Sequence, residues 1–203
     1  MEAVNSKWGC TMNNIYAGQD MDIQSAKDKL IKGFRNLVIT KNFERLTVAE
    51  ICEQANVSRK TFYTYFKDKN DIIEQIVWHS LTQPFEELRK LYAFHNMAPA
   101  FIMEWLYRRI YEDREFYSRI SRFSGQNSFE EFLLKHTTEM LEKALVNVEM
   151  SAVDKEYTVY FYAASHTTLL IKWIRDGMVV SPEKMARYYE KWTIPAWREI
   201  MNK

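Results

Sequence analysis

Glycine and proline are scarce in this chain of 203 residues, at five and four. Strands joined by tight turns need more of both, so the shortage argues against a β-rich architecture. Cysteine is scarcer still. Cys10 and Cys52 form no C-x-x-C pair and cannot build a disulfide framework, so a reducing, cytoplasmic setting is expected. Long apolar runs are missing as well. The most apolar stretch, Val159 to Ile174, is broken by Ser165, His166, Thr167, Thr168 and Lys172. It falls short of the ~18 apolar residues of a membrane span, so no membrane partner is expected. Residues 1–20 hold Asn5, Ser6, Asn13, Asn14 and Gln19 where a signal peptide would carry its apolar core. An excess of one charge sign is also lacking. The formal net charge is +1, which taken alone argues against a nucleic-acid partner.

Catalytic and metal-binding patterns are absent too. His79, His95, His136 and His166 show neither H-x-x-x-H nor H-E-x-x-H spacing, so no metal site is expected. There is no G-x-S-x-G, no Gly-rich phosphate loop and no H-x-E with C-x-x-C. Glu86 and Glu87, like Glu130 and Glu131, are neighbours on helices and point in different directions, so they form no acid/base pair. The chain reads as a non-enzyme without cofactor.

What is present is apolar and periodic. A hydrophobic share of 47% in 203 residues is enough to bury a real core. Aromatics reach 15%, which means a bulky core or a cavity lined with rings. Residues 1–20 lack periodicity and read as a flexible tail. From Ile23, the residues Ala26, Leu30, Phe34, Leu37 and Val38 mark one stripe of a helix that ends at Lys41-Asn42, where Asn can take the left-handed conformation. Thr47, with Glu50 three residues on, opens a short helix through a capping box; that helix ends at Asn56. Ser58 caps another helix, carrying Thr61, Phe62, Tyr65 and Phe66, of which the three rings are expected in the core. Asp68 caps the next, and Pro84 is expected to end or kink it near Gln83. Longer helices follow over about 98–112, 114–123, 128–149, 154–177 and 182–201. Ser128 and Asp154 serve as caps, Gly177 as a stop and Pro182 as a first helical residue. The fold class is all-α.

Two short helices, Thr47–Ala55 and Ser58–Phe66, separated by so brief a connection make a helix-turn-helix, whose second helix can enter a DNA major groove. Charge supports this once it is divided along the chain. Residues 21–70 carry ten basic and six acidic groups, a net +4, and residues 71–203 carry a net −2. The positive charge sits where phosphates would be met. Arg59, Lys60, Thr61 and Thr64 lie near the N-terminus of the second helix, where base edges are reached, and Tyr63 offers a hydroxyl for phosphate. On spacing and charge alone, a helical hairpin with a solvated basic face remains the other reading.

The run from Thr47 to Lys69, TVAEICEQANVSRKTFYTYFKDK, resembles the DNA-binding domain of TetR-family transcriptional regulators, and the resemblance spans roughly residues 24–75. It implies that Thr47 starts the second helix and touches phosphate. It also implies that Arg59, Lys60, Thr61 and Thr64, with Ser58 at their cap, face bases or nearby backbone, and that Tyr63 and Lys69 bind phosphate. Asn42 and Asn56 stand where the family often has Gly; Asn tolerates left-handed geometry, so both turns should survive. Further on, Leu170 to Met178 and Ser181 to Ala186 look like the Firmicutes-type C-terminal domain of the family. This implies a Gram-positive bacterial origin and a dimer built from the last two helices.

The expected division is a tail over 1–20, a three-helix DNA-binding domain over 21–68, and a helical bundle for dimerisation and effector binding over 69–203. Tyr160, Ala164, Thr168, Ile171, Tyr188 and Trp192 are the interface candidates, with ordinary core packing as the alternative for each. Phe101, Trp105, Tyr107, Phe116, Phe123, Phe132, Tyr162 and His166 are candidate walls of a pocket for an apolar or aromatic effector. The expected function is a dimeric repressor that binds an inverted-repeat operator in double-stranded DNA and is released by a small molecule. The alternative is an activator or co-regulator controlled by a protein partner.

Overall fold

A computed structural model describes residues 25–95, 99–123 and 128–201, and all regular structure among them is helical. The expected tail, residues 1–20, lies outside the described residues. The first helix, α1 (Ala26–Thr40), is capped by Ser25, whose Oγ accepts from the Asp28 N–H. Its buried stripe of Leu30, Phe34, Leu37 and Val38 keeps the helical period read from the sequence. Its end departs from expectation. Asn42 is not left-handed but extended, with φ −67° and ψ 124°, and its side chain accepts from the Glu44 N–H. Asn caps helix starts as readily as it closes helix ends, and here a 3-10 turn over Phe43–Arg45 begins at once.

The short helices α2 (Val48–Ala55) and α3 (Arg59–Tyr65) follow, and α2 crosses α1 closely. Gly33 sets that approach. A Cβ at this position would lie 3.2 Å from the Ala55 nitrogen and 3.3 Å from its Cβ.

Helix α4 (Lys69–Val77) is opened by Asp68, whose carboxylate accepts from the Asn70 and Asp71 N–H groups. A π turn over Trp78–Thr82 joins it without a break to α5 (Gln83–His95). Pro84 therefore does not end the helix. Proline lacks the N–H and crowds the carbonyl four residues back, and the turn ahead of it is widened. The Gln83 N–H reaches the Trp78 carbonyl, five residues away.

The remaining helices are α6 (Pro99–Glu112), α7 (Arg114–Ile120), α8 (Phe129–Ala144), α9 (Ala152–Arg175) and α10 (Pro182–Met201). Ser128 caps α8 as the sequence suggests, but the helix stops before 149. Helix α9 is capped by Ser151 rather than Asp154; the Ser151 Oγ accepts from the Asp154 N–H and donates to its carboxylate. Gly177, with φ 82°, closes α9, and the Met178 N–H returns to the Trp173 carbonyl.

Helix α6 packs on α10, α8 on α9, and α7 on α1. One connected core runs from Leu30 to Ala186, joining the N-terminal helices to the bundle. At the join, the Arg35 guanidinium pairs with Asp113 and lies 4.2 Å over the Phe116 ring. Nearby, the Tyr117 hydroxyl is 3.2 Å from the Ser80 hydroxyl of the π turn. A cleft of about 520 Å³ opens here, its walls including Ile31, Arg35, Gln75, His79, Ser80 and Asp113. No described helix is long and apolar enough to cross a membrane.

Candidate nucleic-acid interface

Thr47 and Glu50 form the expected capping box at the start of α2. The Thr47 hydroxyl accepts from the Glu50 N–H, while Glu50 Oε2 accepts from the Thr47 N–H and hydroxyl, each at 2.8 Å. The Lys41 ammonium adds a contact of 2.9 Å to the same carboxylate. Lys41 first, then Thr47, hold the Glu50 carboxyl down at about 2. Because the Thr47 hydroxyl proton points at Glu50, a phosphate contact from that hydroxyl requires it to turn.

Helix α2 closes on Asn56, which is left-handed with φ 52° and ψ 49°, as expected there. Its N–H meets the Cys52 and Glu53 carbonyls, and the Val57 N–H returns to the Cys52 carbonyl at 2.9 Å. Ser58 then caps α3, accepting from the Thr61 N–H at 3.0 Å, with the two side-chain hydroxyls 2.8 Å apart. Phe62 and Phe66 anchor the inner face of α3 and are fully buried. Arg59, Lys60, Tyr63 and Thr64 consequently face solvent. Tyr65, expected in the core, is exposed as well, since Phe62 and Phe66 already fill the inward direction one turn apart. The Thr64 hydroxyl donates to the Lys60 carbonyl at 3.1 Å and keeps its lone pairs outward. The result is a short helix with two cations at its N-terminal end and hydroxyls along its open face. Such a helix fits a major groove about 12 Å wide.

Lys69 behaves differently from the phosphate ligand implied by the resemblance. Its ammonium donates to the carbonyls of Phe43 (2.8 Å), Glu44 (2.9 Å) and Leu46 (2.9 Å), and lies 4.7 Å over the Phe43 ring. All three protons are engaged, and burial lowers its pKa. The side chain ties the 3-10 turn to the start of α4 and thereby fixes the entry to α2. Sequence spacing gives no sign of this, because the carbonyl cluster exists only once the turn has formed.

The candidate pocket walls do not converge. Phe116, Phe123 and Phe132 serve the junction core: Phe116 lies under Arg35, Phe123 meets the Phe43 ring at 5.0 Å, and Phe132 meets His136 at 4.2 Å. Phe101 is exposed and Trp105 half-buried on α6, turned away from Tyr107, which is fully buried. Tyr107 and His166 do come together, with ring centroids 6.4 Å apart, and Tyr162 is half-buried on α9, a turn before His166. Among the interface candidates, Tyr160, Thr168 and Trp192 are exposed, and Ala164 and Tyr188 half-buried. Ile171 is not at the surface: it is 2% exposed and belongs to the core of its own chain.

An exposed cationic helix held by a left-handed Asn turn on a capped partner defines a helix-turn-helix DNA-binding protein. Residues 30–76 match the family described as "Bacterial regulatory proteins, tetR family", and residues 98–193 match its "Transcriptional regulator C-terminal region". The chain belongs to the TetR family and is a DNA-binding transcriptional regulator, not an enzyme.

It is 23% identical over 142 residues to the HTH-type dhaKLM operon transcriptional activator DhaS of Lactococcus lactis, covering 67% of this chain and 72% of that one. It is 21% identical over 171 residues to YxbF of Bacillus subtilis, an uncharacterized HTH-type transcriptional regulator, covering 81% of this chain but 43% of YxbF. Among solved structures, a dihydroxyacetone kinase operon activator DhaS superposes with a TM-score of 0.57 at 20% identity, over 86% of this chain and 97% of that one. A TetR transcriptional regulator from Streptococcus agalactiae superposes with a TM-score of 0.56 at 15% identity, over 90% and 97%. These likenesses establish the shared fold.

Proposed function

We propose that this regulator acts as a homodimeric repressor. It binds an inverted-repeat operator through residues 21–68 and releases it when a small apolar or aromatic effector enters the bundle over 69–203. The observation that carries the dimer is the aromatic surface of the last two helices. Tyr157, Tyr160 and Phe161 on α9 and Trp192 on α10 are each more than half exposed. Tyr188 stacks on Trp192 at 4.6 Å, presenting a flat double ring to solvent. Ala164 and Thr168 continue the α9 face with small side chains that let a partner helix approach. Rings of this size left in water are characteristic of an interface awaiting its other half. Two recognition helices about 34 Å apart would then read two half-sites, which a lone helix-turn-helix cannot do with useful specificity.

Release requires that effector binding favour a geometry in which that spacing is lost. The junction supplies the linkage. Arg35 on α1 is tied to Asp113 ahead of α7, and the π turn is tied to Tyr117, so movement in the bundle would reach α1 and the π turn through these contacts. A second reading is an activator controlled by a protein partner; the name of DhaS as an activator supports the direction of control and does not bear on the partner.

A gel shift with inverted repeats from the protein's own upstream region, paired with sedimentation analysis, tests the proposal. The expected result is a dimer that shifts one such repeat at moderate salt. A monomer, or binding without sequence preference, would overturn it. Transcription that rises when the gene is deleted supports repression, and transcription that falls supports the second reading.

A further inference from the structure

Lys41 closes α1, Thr47 opens α2, and one carboxylate joins them. Glu50 Oε1 accepts from the Lys41 ammonium at 2.9 Å, and Oε2 accepts from the Thr47 N–H and hydroxyl at 2.8 Å each. The capping box accounts for Thr47. It does not account for Lys41, which reaches across the corner between the helices while its side chain stays 49% exposed. Water screens a pair so exposed, and such pairs add little to stability. Holding the fold is therefore a weak reason for this third donor.

The position of the cluster supplies a better one. In a helix-turn-helix the first helix crosses the DNA backbone while the second enters the groove. Helix α2 is that first helix, and Glu50 and Thr47 lie at its N-terminal end. A phosphodiester and a carboxylate each spread one negative charge over two outer oxygens, and both take charged N–H donors. Glu50 thus holds a carboxylate near the path of the backbone, already bonded to an ammonium, an N–H and a hydroxyl. Lys41 can exchange its partner. Its ammonium has no second one among the described residues, whereas the three protons of Lys69 are all bound to carbonyls.

We propose that Glu50 is a built-in rival of the DNA phosphate, and that Lys41 is a phosphate contact which Glu50 masks in the free protein. On docking, the Lys41 ammonium passes from Glu50 to a backbone oxygen, and the Thr47 hydroxyl turns with it. Glu50 is then a positioning residue that lowers affinity for every duplex alike, because phosphate contacts carry no sequence information. The inference rests on DNA binding alone and needs neither the dimer nor the effector.

The test titrates the full chain, per folded molecule, against an unrelated duplex and an upstream inverted repeat of equal length, over about 50–200 mM salt. Glu50→Gln is expected to raise affinity for both duplexes by about threefold. A role confined to capping predicts no rise, since an amide caps no better than the carboxylate. Lys41→Gln is expected to lower affinity for both by a similar factor. It should also make the slope of log affinity against log salt shallower by about 0.9, the loss of one phosphate contact. Glu53→Gln removes the same charge from an exposed position on α2 and should change affinity less. An unchanged or lower affinity in Glu50→Gln, an unaltered slope in Lys41→Gln, or an equal gain in Glu53→Gln would each overturn the proposal. Lys41→Gln leaves the Thr47–Glu50 box in place, so its slope decides if Glu50→Gln does not fold. The unrelated duplex suffices for every reading, so an upstream repeat bound no better than that duplex would count against the proposed repressor and not against Glu50.

Discussion

Lys69 shows what a single side chain can do that its sequence context conceals. Its charge sits beside basic neighbours in a DNA-binding segment, yet its protons go to three carbonyls of its own chain. Lys69→Met should therefore lower the stability of the protein by about 2 kcal/mol, read by urea unfolding, through the carbonyls it leaves without donors. Operator affinity measured per folded molecule should change little; a large loss at unchanged stability would restore the phosphate role. Glu50 gives a second expectation, in pH. Its folded value of about 2 lies below the ordinary 4.5, so its contribution is fully present above 4.5 and is lost as pH falls toward 2. Glu50→Gln should be less stable than the parent at pH 7, and the two acid-unfolding curves should converge between pH 4.5 and 2. Curves that stay parallel would show that the carboxylate contributes nothing.

Among the elements, what the sequence reveals is what neighbouring residues decide. The Thr47–Glu50 box, the Ser58 and Asp68 caps, left-handed Asn56 and the Gly177 stop are all local, and each is where the pattern places it. Asn42 and Asp154 mislead because two residue roles compete locally, and the winner depends on where the next turn begins. The wide aromatic set of the bundle could not be sorted from the sequence at all. Whether Phe123 meets Phe43 or a ligand depends on how α1 docks on α7, a contact between residues far apart in the chain. Gly33 belongs to this scale. Helix propensity alone favours Gly33→Ala by about 1 kcal/mol. The added methyl would press at 3.2 Å on the Ala55 backbone nitrogen, at the end of α2 where Asn56 fixes the turn. The expected net result is a loss of about 1–2 kcal/mol in chemical denaturation, and a stabilised variant would mean that the α1–α2 crossing yields.

For the whole molecule, the exposed rings of α9 and α10 and the exposed cations of α3 are two surfaces that the proposed dimer would make act together. Tyr160→Glu combined with Trp192→Asp should give a folded monomer by sedimentation and lower operator affinity by at least about tenfold, because one half-site supplies too few contacts. A monomer with full affinity would break that link. The connecting helix carries a consequence of another kind. A π turn is an α-helix holding one residue too many, and the surplus at Trp78–Thr82 lies directly ahead of Pro84. The chain length between the recognition helix and the bundle is thus tuned by a matched pair: an extra residue and a proline that tolerates no ordinary turn before it. Deleting His79, whose side chain is exposed, should force an ordinary turn against the proline ring and destabilise the protein by about 3 kcal/mol. Deleting His79 together with Pro84→Ala should recover most of that loss in the same unfolding assay. Deleting His79 would be harmful with Pro84 in place and tolerated once Pro84 is alanine, so the order in which the two changes arise decides whether a lineage passes through a weaker intermediate.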